Sequence, residues 1–204
     1  MHHNLVTGGR AYNYGASGFY TDQALSGVAL HHNVLADAGA VAIEAHCGSN
    51  NSAFNNVLYA PQQQAVGTRN GALGACNALG FPPGRPSSYA FFNNIVHLTA
   101  TPWLPSGEFA PPNADYYSPS SWRSDANVYF GVPPNAPMPL HYPNGTQGLP
   151  AWRAAWGCDA RSVEADPQMA DPAAGDFSLP PTSPAWELGW QKIDLSTVGP
   201  LPVS

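Results

Sequence analysis

One short motif recurs along the chain: an asparagine, then an aliphatic residue, then an apolar one. It is found as Asn4-Leu5-Val6, Asn33-Val34-Leu35, Asn56-Val57-Leu58, Asn94-Ile95-Val96 and Asn127-Val128-Tyr129. The first two copies share a longer context, His2-His3-Asn4 and His31-His32-Asn33, and the next two share Asn55-Asn56 and Asn93-Asn94. The spacings are 29, 23, 38 and 33 residues. Repetition on this scale is the mark of a stacked architecture, in which one unit cannot bury its own apolar face and its neighbours do so. The shortest spacing suits one turn of a parallel β-solenoid, and the longer ones suit turns that carry inserted loops. Stretches such as Val28-Ala29-Leu30-His31 and Ala53-Phe54-Asn55 lie just before the motif. Their period of two points one side chain inward and the next outward. An asparagine at a corner tolerates the left-handed conformation that bends one strand into the next. Asparagines stacked from turn to turn can also hydrogen-bond in a ladder. The expected fold is all-β: a parallel β-helix of about four to five turns.

Composition narrows the remaining possibilities. Only 7 Lys+Arg and 13 Asp+Glu are present, 10% of the 204 residues, against about 25% in an average soluble domain. That excludes coiled coils and helical bundles, which need charge-rich faces. Disorder is excluded by a 44% hydrophobic and 11% aromatic content, too much to remain unfolded. The 20 Gly, 22 Pro and 15 Asn fit turn-dense β structure. A net charge of −6 with a single lysine, Lys192, argues against nucleic acid. No apolar run approaches the roughly 20 residues of a membrane helix. The three cysteines are an odd number, and Cys47 with Cys76 is the better candidate for a pair. Asn50 and Asn144 begin glycosylation sequons, which matter if the chain is secreted by a eukaryote.

The chain reads as one domain in three stretches: regular turns over 1–60, turns with long insertions over 61–148, and a closing segment over 149–204. Residues 61–88, 99–121 and 132–148 are Pro-studded and read as loops, of the kind that builds a binding face on one side of a solenoid. A short helix is predicted over 149–157, with Pro150 near its first turn and Gly157 at its end.

Particular segments resemble a right-handed parallel β-helix of the pectate-lyase type. They are Phe19-Tyr20-Thr21-Asp22, Gly27-Val28-Ala29-Leu30, His32-Asn33-Val34-Leu35, Ala45-His46-Cys47-Gly48 and Asn55-Asn56-Val57. The tail, with Ala165-Asp166-Pro167, Asp176-Phe177-Ser178-Leu179, Ser183-Pro184-Ala185 and Leu188-Gly189-Trp190, is similar to the closing segment of proteins related to glycoside hydrolase family 141. The resemblance implies a secreted, extracellular, carbohydrate-active protein whose partner is a polysaccharide or glycan. It leaves residues 61–88 and 99–121 unmatched. Such proteins usually carry several turns before the Tyr-x-Asp segment, so further β-helix turns upstream, with any signal peptide, or self-association at that end are the expectation.

With so few charges, candidate chemistry can be weighed residue by residue. Asp22 follows Tyr20 at a predicted strand edge, and Glu44 lies in the apolar run Val41-Ala42-Ile43-Glu44-Ala45-His46. On successive turns they would share one face about 4.8 Å apart, which suits a glycosidase carboxylate pair. An apolar neighbourhood around Glu44 is what a general acid needs, and His46 lies on the same side by period two. Asp22, Glu44 and His46 are therefore the catalytic candidates. Tyr20, His32 and Arg69 are the substrate-binding candidates, Tyr20 because an amphipathic ring packs on a sugar face. The bland alternative is that Asp22 caps a turn and Glu44 is a solvated strand residue. Aromatics outside the predicted strands, among them Trp103, Trp122 and Tyr142, form a sugar platform or pin loops to the wall, while Trp152, Trp156, Trp186 and Trp190 close the end. The paired histidines invite a metal reading, but no HExxH or paired-Cys spacing accompanies them, and corner positions explain them better. No cofactor is expected. Calcium at Asp22, Asp37 or Glu44 is the nearest alternative, without an Asp-rich loop to support it. Six Arg and one Lys are poor material for a groove that neutralises uronates, so a neutral polysaccharide is favoured. A lyase using Arg10 or Arg69, and a non-catalytic scaffold or adhesin, remain the alternatives.

Overall fold

The structure is a computed structural model, and it describes residues 1–9, 17–22, 25–37, 41–45, 48–60, 64–68, 88–98, 120–131, 140–142, 145–196 and 198. It is built mainly of β-strands in parallel sheets, and none of the sheets closes into a barrel. The largest sheet runs in the order β1 (Leu5–Thr7), β4 (Val34–Ala36), β7 (Val57–Ala60), β10 (Ile95–Leu98), β12 (Val128–Gly131) and β15 (Val163–Glu164). A second holds β3 (Ala29–His31), β6 (Asn51–Phe54), β9 (Tyr89–Phe92) and β11 (Trp122–Asp125). A third holds β2 (Ser17–Thr21), β5 (Val41–Ala45) and β8 (Gln64–Thr68). Every pairing in these three sheets is parallel. Among the described residues an antiparallel hairpin, β13 (Leu140–Tyr142) with β14 (Gly145–Gln147), and two helices, α1 (Leu149–Trp156) and α2 (Pro184–Glu187), complete the elements.

The motif spacing is the register of the largest sheet. Leu5 pairs with Val34, Val34 with Val57, Val57 with Ile95, Ile95 with Val128, and Val128 with Val163. The last step adds a sixth rung, Ser162-Val163-Glu164, which a search for asparagine passes over. Both residues after each asparagine are apolar because the sheet is covered on both faces. Leu35, Leu58, Val96 and Tyr129 face an inner core with Leu30, Ile43, Ala53, Phe91, Trp122, Trp152 and Trp156. Val34, Val57, Ile95 and Val128 face outward, where Ala185, Trp190 and the partly buried Phe177, Leu179 and Trp186 cover them.

The asparagines form the expected ladder, and it has a direction. Nδ2 of Asn4 donates to Oδ1 of Asn33 (2.8 Å), Asn33 to Asn56 (2.9 Å), Asn56 to Asn94 (2.9 Å) and Asn94 to Asn127 (3.2 Å). Each backbone N–H on this path donates to the same Oδ1. The second amide hydrogen reaches a backbone carbonyl, as from Asn56 to Leu30, Asn94 to Ala53 and Asn127 to Phe91, each at 3.0 Å. Every rung therefore hands its donors to the next one, and the last needs a group that only accepts. That group is Asp159, fully buried at 0% exposure. Its Oδ1 accepts from Asn127 Nδ2 (3.2 Å), Tyr129 (3.1 Å) and Ser162 (2.6 Å). Its Oδ2 accepts from Trp152 Nε1 (2.8 Å) and from Ser124.

The left-handed residue is not the ladder asparagine but the one before it. His3, His32, Asn55, Asn93 and Ala126 have φ of 54°, 55°, 54°, 53° and 57°. Each Asn-Asn pair thus divides the work: the first bends the chain, as asparagine does at low cost, and the second builds the ladder. The bending residues also hold the C-terminal segment. Asn55 Nδ2 donates to Gln191 O (2.8 Å) and its Oδ1 accepts from Gln191 N (2.6 Å), while Asn93 Nδ2 donates to Leu188 O (2.6 Å).

Other expectations need correction or hold. Residues 64–68 are a strand, paired in parallel with β5 so that Val66 is in register with Ile43. Residues 140–147 include a hairpin rather than loop alone. Trp122 lies within β11 and is buried, because its position on the inward side of that strand stacks it on Tyr89 and Phe91. The helix is found at Leu149–Trp156, ended by Gly157 at φ 64°, and Trp152 and Trp156 join the inner core while Trp186 and Trp190 join the outer layer. Cys47 and Cys76 lie outside the described residues. Cys158 carries no disulfide, and burial, with Asp159 alongside, pushes its thiol up to about 12. In the outer layer His97 sits edge-on between Tyr59 (5.1 Å) and Phe130 (4.8 Å). Its Nδ1 is buried without a hydrogen-bond partner, and burial pushes its imidazole down to about 4, against an opposing pull from Asp166.

Candidate functional site

Strands β2 and β5 bring the carboxylate candidates together. Phe19 pairs with Ile43, Tyr20 with Glu44 and Thr21 with Ala45. Phe19 and Ile43 pack on the inner core, so period two turns Tyr20 and Glu44 to the opposite face. Asp22 is therefore not the residue in register with Glu44; Tyr20 is. The link to Asp22 runs through the tyrosine, whose hydroxyl donates to Asp22 Oδ1 at 2.8 Å.

The two acids have different surroundings. Glu44 is buried at 4% exposure, and Ser17 Oγ donates to its Oε2 at 2.5 Å. Thr21 Oγ1 donates to the Glu44 backbone carbonyl (3.3 Å). Asp22 is exposed, and Tyr20 is 37% exposed. The Tyr20 phenol is held well above its ordinary value, first by burial, then by its bond to Asp22 and that carboxylate's charge, and then by the charge of Glu44. Both acids thus act on one hydroxyl. The arrangement offers a sheltered acid held by a hydroxyl donor and an open one held by a phenol, on one sheet face with an aromatic ring between them.

Of the residues expected from sequence, Asp22, Glu44 and Tyr20 meet here. His46, Arg69, Arg10 and Asn144 lie outside the described residues. His32 does not join them: it follows β3, in another sheet, and its Nε2 faces Gln191 Oε1 at 3.1 Å, because its left-handed bend turns the ring toward the C-terminal segment. Asn50 is exposed, with φ 57°, and its sequon serine, Ser52, lies in β6. Asp37, also named for calcium, follows β4 with φ 49°. Among the described residues no group of three or more His, Cys, Asp or Glu is placed to hold a metal ion. Ser17 is the residue that sequence reasoning missed. It pairs with Val41 rather than with Glu44, so neither alternation nor repeat spacing points to it. Among the described residues no helix is long and apolar enough to cross a membrane. No family model, curated protein sequence or solved structure matches the chain.

Proposed function

We propose that the chain is a right-handed parallel β-helix that acts outside the cell on carbohydrate. In this reading it hydrolyses glycosidic bonds of a neutral polysaccharide, with Asp22 and Glu44 as the carboxylate pair. The β-helix reading is supported by the order in which strands are recruited. Successive repeats deliver β3, β6, β9 and β11 to one sheet and β4, β7, β10 and β12 to another, always parallel. The hydrolase reading rests on one observation: Tyr20 pairs with Glu44 across a single strand step and bonds to Asp22. Tyr20 stands one strand step of about 4.8 Å from Glu44, and the reading requires the Asp22 and Glu44 carboxyl groups to fall within the roughly 5 to 9.5 Å that glycosidases use. Glu44, sheltered beside Ser17, takes the part of the acid. Asp22, open to solvent, takes that of nucleophile or base, and the Tyr20 ring packs on a sugar face.

The test is release of reducing ends from a panel of neutral plant and algal polysaccharides. Asp22→Asn and Glu44→Gln should each lower kcat by about 100-fold or more, the usual scale for a lost acid or base. Full activity in either variant removes that residue, and no product from any neutral glycan removes the reading. A non-catalytic extracellular scaffold is the second reading. It is favoured by the asparagine ladder and by the use of His32, Asn55 and Asn93 to fasten the C-terminal segment.

A further inference from the structure

The two His-His pairs stand one above the other at the first bends. His2 Nδ1 lies 2.8 Å from His3 Nδ1, and His31 Nδ1 lies 3.0 Å from His32 Nδ1. The ring centroids within the pairs are 5.0 and 5.2 Å apart. Each centroid separation exceeds the nitrogen–nitrogen distance by about one ring diameter. The rings therefore meet nose to nose, as in a hydrogen bond, and do not converge on a shared point as metal ligands would. Across the pairs His2 stacks on His31 (4.9 Å) and His3 on His32 (5.2 Å), and His31 stacks in turn on Phe54 (4.8 Å).

A nose-to-nose imidazole contact needs one donor and one acceptor. In the second pair the order is set from outside. Gln191 Oε1 accepts from His32 Nε2, so Nδ1 of His32 is the lone pair and His31 donates to it. An added proton can enter on the donor ring's free nitrogen and leave the bridge intact. A further proton must go to the acceptor Nδ1, which sets N–H against N–H and breaks the bridge.

We propose that the stacked pairs His2–His3 and His31–His32 form an acid-operated latch on strand β1. Above the ordinary histidine range the bridge within each pair fixes the ring orientation, and the stacks of His2 on His31 and His3 on His32 clamp β1 to β4. As protons enter, cationic rings face each other about 5 Å apart across the stacks, a bridge opens, and the repelled stacks release β1. Among the described residues the charged groups facing the four rings are few. Asp194, held low first by its bonds to Ser196 and then by Lys192 and His3, brings a negative charge near His3. Gln191 and Phe54 are neutral. His31 is held below its ordinary value by burial and then by His32, His2 and His3. The sign follows from that direction. The unfolded chain binds more protons than the folded one below about pH 6.5, so the clamp is complete above that value and is lost as pH falls.

The test is backbone amide exchange of residues 4–7, corrected for intrinsic rates, at pH 7.5 and pH 5, with β10 as internal reference. Protection of residues 4–7 should fall at least about tenfold at pH 5 while β10 holds. The control is the double variant His3→Asn, His32→Asn. Asparagine already serves the same bend at Asn55 and Asn93, so the turn is kept while both bridges and the His3–His32 stack are removed, and the acid-induced loss should shrink. Equal protection of residues 4–7 at both pH values in the wild-type chain, or the same loss in the double variant, overturns the proposal. Histidine C2–H titration by NMR gives a reading without any variant. His31 should titrate below the ordinary histidine value, and a His31 curve at the ordinary value also overturns it.

Discussion

Replacing Asp159 by Asn tests whether the direction of the ladder matters. The change keeps size and removes one acceptor. Both carboxyl oxygens face a group that can only donate: Asn127 Nδ2 at Oδ1 (3.2 Å) and Trp152 Nε1 at Oδ2 (2.8 Å). Whichever way the new amide turns, its NH₂ therefore meets a buried N–H. Losing a hydrogen bond to a charged acceptor costs about 1.5–3 kcal/mol, and a buried donor left unsatisfied costs about 1–3 kcal/mol. Together these give about 2.5–6 kcal/mol, a large share of the roughly 5–15 kcal/mol that holds a domain folded. Urea unfolding followed by tryptophan fluorescence should show that loss with an unchanged slope. Tm should drop by about 5–24 °C, at about 2–4 °C per kcal/mol for a chain of this size. Asp125→Asn is the matched control. Asp125 bonds the exposed Arg161 at 2.8 Å, and its loss should cost under about 1 kcal/mol. A loss at position 159 of under about 1 kcal/mol would refute the claim that the ladder requires an acceptor-only end.

Three further outcomes are expected. Gly48→Ala should destabilise by several kcal/mol in the same assay, because φ is +105° and a Cβ would lie 2.1 Å from the Leu25 carbonyl oxygen; a near-neutral melt would contradict that packing. His97 should titrate by NMR with a midpoint about 4. Since its folded value is depressed, its contribution to stability is complete above about pH 6.5 and declines as pH falls toward 4; His97→Phe should flatten that part of the stability–pH curve, and an unchanged curve would count against it. The Tyr20 phenol should ionise well above the ordinary tyrosine range, and Asp22→Asn should lower its midpoint in a titration read at 295 nm. An unmoved midpoint would mean that the Tyr20–Asp22 bond does not form in solution.

Much of the fold was legible because the repeat acts through position rather than composition. The spacing of Asn4, Asn33, Asn56, Asn94 and Asn127 is the strand register itself. The sixth rung escaped notice because Ser162, whose Oγ accepts from Asn127 N at 2.9 Å, replaces the asparagine. The strand at 64–68 was hidden by the prolines and glutamines around it, and only its pairing with β5 reveals it. The candidate site was half legible. The sequence put Glu44 in an apolar strand on one face with Asp22, but Tyr20 is the residue opposite Glu44, and the bridge from Tyr20 to Asp22 depends on side-chain reach across a strand end, which no periodicity encodes. His32 was read as a ligand contact because nothing in its own segment announces Gln191, 159 residues away.

The asparagine ladder also bears on how such a chain can change over time. Neighbouring rungs are 23 residues apart in one place and 38 in another, yet their amide contacts are the same 2.9 Å. The hydrogen bonds therefore register only the rung, and the chain between rungs is free to lengthen. Growing a connection from the shorter to the longer spacing costs only about 0.5 kcal/mol of closure entropy on the logarithmic rule. New segments can thus be inserted between rungs and tried for binding or catalysis without renegotiating the scaffold.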